Sequence, residues 1–342
     1  MKHNWEYKIL TDCIEKVKYT NKIQSSDYKK EGLYPIISQE DEYISGYCDN
    51  ESDLFKISKP IVIFGDHTRI VKYIDFDFVL GADGVKILQP IDNLSAKFFS
   101  YFLKSYPIPS LGYSRHFKVI KEISIPVPSL PTQQSIVSEL DSLSKIIADC
   151  KETLKDYNAL EQSIFYDMFG DPVKNEKGWE VKKVIDVVTM QRGFDLPSSN
   201  RNSSGHIPVY GSNGILGMHN ESKLSEGIIT GRSGSIGEVY VSFKPFWPLN
   251  TTLFSKDTHG NNLTYLQFLL RNFNLKRFAE GAGVPTLNRN NFHNENIIAP
   301  HLPLQQQFAS KIEAIEQMKS ETKKALQEAE TLFQARMDYW FN

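Results

Sequence analysis

Two stretches of the chain carry hydrophobic residues at heptad spacing. In the first, Ile136, Leu140, Leu143, Ile147, Cys150, Leu154, Tyr157, Ile164 and Met168 follow in alternating steps of four and three, and only Glu161 interrupts the series. In the second, displaced by 172 residues, Phe308, Ile312, Ile315, Thr322, Leu326, Ala329, Phe333 and Trp340 occupy the same frame, with Lys319 and Arg336 as polar members. Such spacing keeps one face of a helix apolar and predicts two long amphipathic helices, 131–170 and 303–342. Their interiors lack Pro and Gly. Pro131 and Pro303 sit where a first-turn proline loses no hydrogen bond, and Gly170-Asp171-Pro172 stops the first helix. A helix of about 37 residues, at ~1.5 Å each, is ~55 Å long. Neither helix can bury its stripe alone. The expected solution is an antiparallel pair formed within one chain, because the block between the helices can return the chain; a homodimer interface is the alternative.

The remaining sequence has a different texture. Short β-branched and aromatic runs, such as 61–64, 71–74, 85–88, 227–230 and 238–241, alternate with Gly, Asn, Asp and Ser and predict short strands with tight turns. The segments 95–104 and 263–271 carry helical spacing. Much of this recurs. Trp5-Glu6 returns as Trp179-Glu180, Tyr34-Pro35-Ile36 as Ile207-Pro208-Val209, and Leu130-Pro131-Thr132-Gln133-Gln134 as Leu302-Pro303-Leu304-Gln305-Gln306. The fold class is therefore α+β: two similar mixed blocks, 1–130 and 171–302, separated by two long helices packed as an antiparallel coiled coil, with pseudo-twofold symmetry from an internal repeat.

Composition narrows the function. Hydrophobic residues are 40% and charged residues 23%, a globular balance without a run able to cross a bilayer. The start, Met1-Lys2-His3-Asn4-Trp5-Glu6, lacks an apolar signal core. Cys13, Cys48 and Cys150 form neither a metal spacing nor a disulfide framework, which suits a reducing cytoplasm. The net charge of -2 conceals a segregation: 131–170 hold three Lys/Arg against seven Asp/Glu, whereas 171–302 hold fourteen against eleven. That distribution allows nucleic acid at the blocks and protein partners at the helices.

No self-contained catalytic site is legible. A methyltransferase would need a cofactor-binding glycine loop and an Asp/Asn-Pro-Pro-aromatic motif, and neither is present. Gly231-Arg232-Ser233-Gly234-Ser235-Ile236-Gly237 lacks the Lys-Ser/Thr ending of a phosphate-binding NTPase loop. The eight histidines show no metal spacing. Binding features are clearer. Arg232, Ser233 and Ser235 sit in a glycine-rich loop whose amides could form an anion nest, and an Arg there could read guanine. Asn288, Arg289 and Asn290 lie shortly before the second long helix, and Ser212 and Asn213 form a third polar loop. In the first block the corresponding candidates are His67, Thr68 and Arg69, then Arg115, His116 and Lys118. A glycine-rich hairpin and neutral loop drift are the plainer explanations.

Taken together, these motifs resemble the specificity subunits of type I restriction–modification systems. The likeness covers nearly the whole chain. It rests on the order block, helix, block, helix, on the two Leu-Pro-X-Gln-Gln entrances, on the Gly231–Gly237 loop, on Trp247-Pro248-Leu249-Asn250-Thr251-Thr252, and on Pro285-Thr286-Leu287-Asn288-Arg289. The first block departs from it, with Gly65-Asp66-His67-Thr68-Arg69 and Gly81-Ala82-Asp83-Gly84 where a Gly-Ser-Ile-Gly loop is expected. The resemblance implies two target recognition domains, each reading half of a split site on double-stranded DNA. It implies helices that dock two methyltransferase subunits, and a motor/endonuclease subunit that cuts unmodified DNA. S-adenosylmethionine, ATP and Mg would belong to those partners, and this chain would bind no cofactor and no membrane. Half-sites read from one side of the duplex would lie about one helical turn, ~10 base pairs, apart. The rival reading is a non-catalytic coiled-coil adaptor with two ligand-binding lobes.

Overall fold

A computed structural model describes residues 4–82, 84–112, 114–202, 204–281 and 283–342. The chain divides into two compact units. Unit 1 takes Met1–Lys151 with Lys324–Asn342, and unit 2 takes Glu152–Lys323.

Unit 1 contains two four-stranded sheets. One orders Ile14–Glu15, Val85–Pro90, Ile61–Gly65 and Val71–Ile74; the other orders Gly46–Cys48, Tyr34–Ile37, Phe78–Leu80 and Leu54–Phe55. The strands Tyr34–Ile37 and Phe78–Leu80 run parallel, with Ile36 opposite Val79. Helix α1 (Ala96–Ser105) covers the first sheet, and a single turn, α2 (Phe117–Ile120), follows. Unit 2 repeats the scheme. Its four-stranded sheet orders Thr189–Arg192, Thr252–Asp257, Gly227–Gly231 and Val239–Ser242. Its second sheet joins Gly214–His219, Ile207–Gly211 and a parallel Trp247–Pro248. The long helix α3 (Leu130–Phe169) leads into this unit, and the short turn α4 (Val184–Val187), α5 (Leu263–Asn272), the turn α6 (Asn290–His293) and the long helix α7 (Leu302–Phe341) complete the series.

Both long helices comprise 40 residues, so each extends for about 60 Å at ~1.5 Å per residue. In unit 1, Glu139 of α3 accepts from Arg336 and from Trp340 Nε1 (3.1 Å) of α7, while Lys151 reaches Glu330 (2.8 Å). In unit 2, Glu161 meets Lys319 (2.6 Å) and Phe165 lies against Phe308. In each unit, higher numbers on α3 meet lower numbers on α7, so the pairing is antiparallel. The polar members of the heptad frame are thus each opposite a counter-charge. Gly170 ends α3 at φ +75°, the left-handed position that glycine adopts without strain.

The end of each long helix closes a core. In unit 1, Trp340 stacks on Trp5 and Phe341 meets Phe98 of α1 edge-on. In unit 2, Phe165 and Phe169 are fully buried, and Phe169 lies 4.9 Å from Tyr265 of α5, centroid to centroid. The first glutamine of each pair also has a structural reason. Gln133 is buried; its Oε1 accepts from Ser95 N (2.7 Å), and its Nε2 donates to Asn93 O and Pro128 O (both 2.8 Å). Gln305 does the same in unit 2, accepting from Asn262 N and donating to Pro300 O and Asn261 Oδ1. Ser95 and Asn262 are the N-caps of α1 and α5. One side chain therefore ties the start of each long helix to the start of the neighbouring short one and satisfies groups that the helix termini leave open.

No helix among the described residues is long and apolar enough to cross a membrane. Cys13, Cys48 and Cys150 are free.

Candidate nucleic-acid interface

In unit 2 three sequence motifs converge. Strand Gly227–Gly231 runs out into the glycine-rich loop, which folds back on itself so closely that a Cβ on Gly231 would lie 1.7 Å from Ser235 O. The amides of Arg232 and Ser233 donate to Thr251 O (2.8 and 3.1 Å), Gly234 N donates to Pro285 O (3.1 Å), and Leu287 N donates to Arg232 O (2.7 Å). The loop is therefore pinned between 250–251 and 285–287. This corrects the anion-nest expectation: the amides of Arg232, Ser233 and Gly234 already hold protein carbonyls, and the loop presents side chains instead.

Those side chains are accessible. Ser235 is exposed, Arg232 and Ser233 are half-buried, and Arg232 Nη1 reaches Asn250 O at 3.4 Å. Ser212 packs beside the loop, its Cβ 3.2 Å from where a Gly231 side chain would begin, and Asn213 next to it is exposed. Asn288 and Asn290 are exposed, with Asn288 Oδ1 accepting from Asn290 N (3.1 Å). Arg289 is half-buried at the start of α6. Behind it His293 is buried and accepts from Met190 N (3.1 Å); burial, and then the Arg289 charge, hold its pKa below the usual histidine value.

Unit 1 builds a similar meeting of loops with other residues. The turn between Ile61–Gly65 and Val71–Ile74 carries His67, Thr68 and Arg69, the last at φ +64°. Gln39 grips it, accepting from His67 N (3.1 Å) through Oε1 and from the Thr68 hydroxyl (2.5 Å) through its carbonyl. Lys72, itself buried, donates to Ser38 O (3.0 Å) and Glu42 O (2.5 Å) and so pins the Gln39 loop from below. Desolvation pulls its pKa down against the pull of Glu42, Glu40 and Asp41. Arg69 is exposed and donates to Ile108 O (3.0 Å). Buried Asp66 joins this turn to the second candidate segment: its carboxylate accepts from Phe117 N (2.7 Å) and its carbonyl from His116 N (2.7 Å).

Two candidates change meaning here. His116 is 1% exposed, with Nδ1 on Asp66 O (2.9 Å) and Nε2 accepting from Leu111 N (3.1 Å). It pins the segment and has no free edge for a base. Thr68 has its one hydroxyl hydrogen engaged by Gln39 O and is a loop fastener rather than a donor to DNA. Arg115 and Lys118 are exposed on either side of His116. Asp83 of the Gly81–Gly84 motif lies outside the described residues, as do Met1, Lys2 and His3. Sequence reasoning also missed Gln39 and Asn250, although Asn250 lies inside a motif that it singled out. Their roles depend on partners 28 and 55 residues away, which no local pattern displays.

The family model for the type I restriction modification DNA specificity domain matches residues 2–160 and 176–331. The chain belongs to this family. It is a family of DNA specificity domains, matched here over two stretches of the chain. Each matched stretch contains one set of converging loops. The chain is 26% identical over 193 residues to the specificity subunit of the type I restriction enzyme EcoR124I/EcoR124II of Escherichia coli, covering 52% of this chain and 46% of that one. It is 26% identical over 279 residues to the MjaIX specificity subunit of Methanocaldococcus jannaschii, covering 70% and 65%. The chain thus spans about half to two thirds of the length of these relatives. In fold it is similar to the S subunit of a type I restriction-modification system from M. genitalium (TM-score 0.70, 16% identity, 98% and 95% covered). It is also similar to a chain solved in work on complex assembly and conformational transition of the type I R-M system (TM-score 0.57, 14% identity, 99% and 97% covered). At these identities the structural likeness is one of fold.

Proposed function

We propose that the chain binds double-stranded DNA sequence-specifically and that its two units read the two unlike halves of an asymmetric, bipartite site. The observation that carries this reading is the repeated scaffold with exchanged chemistry. Near the end of the same strand hairpin, polar loops meet in each unit, two in unit 1 and three in unit 2. Unit 1 offers His67, Arg69, Arg115 and Lys118, whereas unit 2 offers Ser212, Asn213, Arg232, Ser233, Ser235, Asn288, Arg289 and Asn290. Guanidinium, amide and hydroxyl groups are those that pair with base edges in the major groove, while lysine and arginine also hold phosphates. One scaffold with two side-chain sets is suited to two different half-sites.

In this reading the long helices dock two methyltransferase subunits that methylate adenine with S-adenosylmethionine. A motor/endonuclease subunit, with its ATP and Mg, restricts unmodified DNA. The acidic excess of α3 agrees with a protein-facing role for the helices. Base-resolution mapping of methylated adenines in the host tests the proposal. The expected motif is split and non-palindromic; a contiguous or palindromic motif would overturn it. Binding of the purified chain to duplex DNA should also weaken steeply with salt, as a phosphate-driven contact does.

A further inference from the structure

Arg192, Asp195 and Asn250 form a polar cluster beside Arg232. The edge strand Thr189–Arg192 ends at Gly193, which passes so close to the segment 248–249 that a Cβ there would sit 2.2 Å from Leu249 O. Hydrogen bonds from Gly193 N to Thr252 O (3.0 Å) and from Phe194 N to Pro248 O (2.8 Å) fix this approach. It delivers Asp195 to Asn250. Asp195 Oδ1 accepts from Asn250 Nδ2 and lies 3.7 Å from Arg192 Nη2, while the Asn250 carbonyl accepts from Arg232 Nη1 (3.4 Å).

The carboxylate decides how the asparagine is turned. An ionised Asp only accepts, so the amide must show its NH2 group to Asp195; the flipped amide would set oxygen against oxygen. One N–H and Oδ1 of Asn250 then remain without a partner among the described residues. A donor and an acceptor in one plane are what the N7 and N6 positions of adenine demand in the major groove. The cluster is not holding a core together: the Asp195 side chain is 74% exposed and that of Arg192 53%. Yet Asn250 rises directly from buried Trp247, Pro248 and Leu249, so its backbone is held rigidly.

We propose that Asn250, oriented by Asp195, specifies an adenine in the half-site read by unit 2, beside the base contacted by Arg232. This rests on the DNA-reading role of that face. Asn250 is the contacting residue and Asp195 a positioning residue.

The test begins by mapping the methylated motif in cells that hold the wild-type chain with its methyltransferase partners. If no chain-dependent motif exists, the DNA-reading proposal itself fails, and with it this one. With a motif in hand, purified complexes carrying wild type, Asn250→Ala, Asp195→Ala or Asp195→Asn are titrated with duplexes in which each base pair of the site is replaced in turn. Wild type should prefer the cognate adenine at one position by roughly 5- to 150-fold, the value of one good bidentate contact. Asn250→Ala and Asp195→Ala should lose that preference alone, with the other half-site discriminated as before. Asp195→Asn should restore it, because its Oδ1 still accepts from Asn250; a role confined to loop stability would show no such position-specific loss. The proposal is overturned if Asn250→Ala keeps every preference, if the lost preference is for a base other than adenine, or if Asp195→Asn behaves like Asp195→Ala. Should Asn250→Ala fail to fold, Asp195→Ala, altered at an exposed side chain, decides the question by the same titration.

Discussion

Glu161 and Lys319 face each other across the helix pair of unit 2, Oε2 to Nζ 2.6 Å, with only 6% and 7% of their side chains exposed. Glu316 adds a second carboxylate, 2.9 Å from the same ammonium. Each partner interrupts an otherwise apolar seam, and burial pushes the Glu161 carboxyl up while Lys319 opposes it. Removing Lys319 strands Glu161, whereas removing Glu161 leaves the ammonium on Glu316. Lys319→Ala should destabilise the fold by about 3–5 kcal/mol and Glu161→Ala by less, whereas a Glu161→Leu/Lys319→Leu double variant should recover most of the Lys319→Ala loss. Denaturant unfolding of the four proteins measures it. A double variant as unstable as Lys319→Ala would show that the pair is not coupled.

The glutamine clamps make a second prediction. Gln133→Ala leaves Ser95 N, Asn93 O and Pro128 O without their buried partner, and Gln305→Ala does the equivalent in unit 2. Each should cost about 1–3 kcal/mol. Gln133→Glu should be no better, since it keeps the acceptor and loses both donors. Hydrogen exchange at the starts of α1 and α3 should quicken in the Gln133 variants, and stable amides there would refute the assignment.

At the loops proposed to face DNA, Arg232→Ala and Arg289→Ala should weaken duplex binding while leaving the melting temperature nearly unchanged. A base-reading arginine should change the preferred sequence at a cost of roughly 1–3 kcal/mol, and a phosphate-holding one should lower the salt slope by about 1 and leave sequence preference intact. Wild-type affinity in both variants would remove these loops from the interface. His116→Ala, by contrast, should lower the stability of unit 1, because it removes the imidazole from Asp66 O and leaves Leu111 N without its acceptor.

The acid sensitivity of unit 2 follows from His293. An unfolded histidine titrates near ~6.5, and the folded one lies lower because it is buried and faces Arg289. Between the two values the unfolded state binds more protons, so stability rises with pH. The contribution is complete above the unfolded pKa and is lost as pH falls through the folded one. Melting followed from pH 7 to pH 5 should show a decline that His293→Gln, which keeps an acceptor for Met190 N, flattens. An unchanged slope in that variant would assign the decline to other groups.

Thiol chemistry offers a further check. Burial pushes the Cys13 pKa up to about 11, and the side chain is fully enclosed. Cys13 and Cys48 should resist alkylation in the native protein at neutral pH, while the half-buried Cys150 should react first.

The sequence made the long helices legible because heptad spacing is a local signal that forty residues repeat. The duplicated architecture was equally readable from recurring motifs. The strand pairs at 61–65 and 71–74, and at 227–231 and 239–242, lie where β-branched runs placed them. What remained hidden is long-range. Nothing near Gln133 announces Asn93, and nothing near His116 announces Asp66. The glycine-rich loop looked like an anion nest because its amides are countable in sequence, whereas the carbonyls of Thr251 and Pro285 that engage them are not.

The discontinuity of unit 1 has a consequence for synthesis. Unit 2 is one contiguous run, 152–323, and its buried Phe165, Phe169, Tyr265 and Phe308 have all been made before the last turns of α7. Unit 1 starts first yet needs 324–342, with Met337, Trp340 and Phe341, to cover Leu140, Phe98 and Trp5. On the ribosome the order of birth and the order of completion are reversed: the earlier-made block waits open until the tail of the second helix emerges, and a chain stalled at residue 323 would display that waiting core to chaperones and proteases.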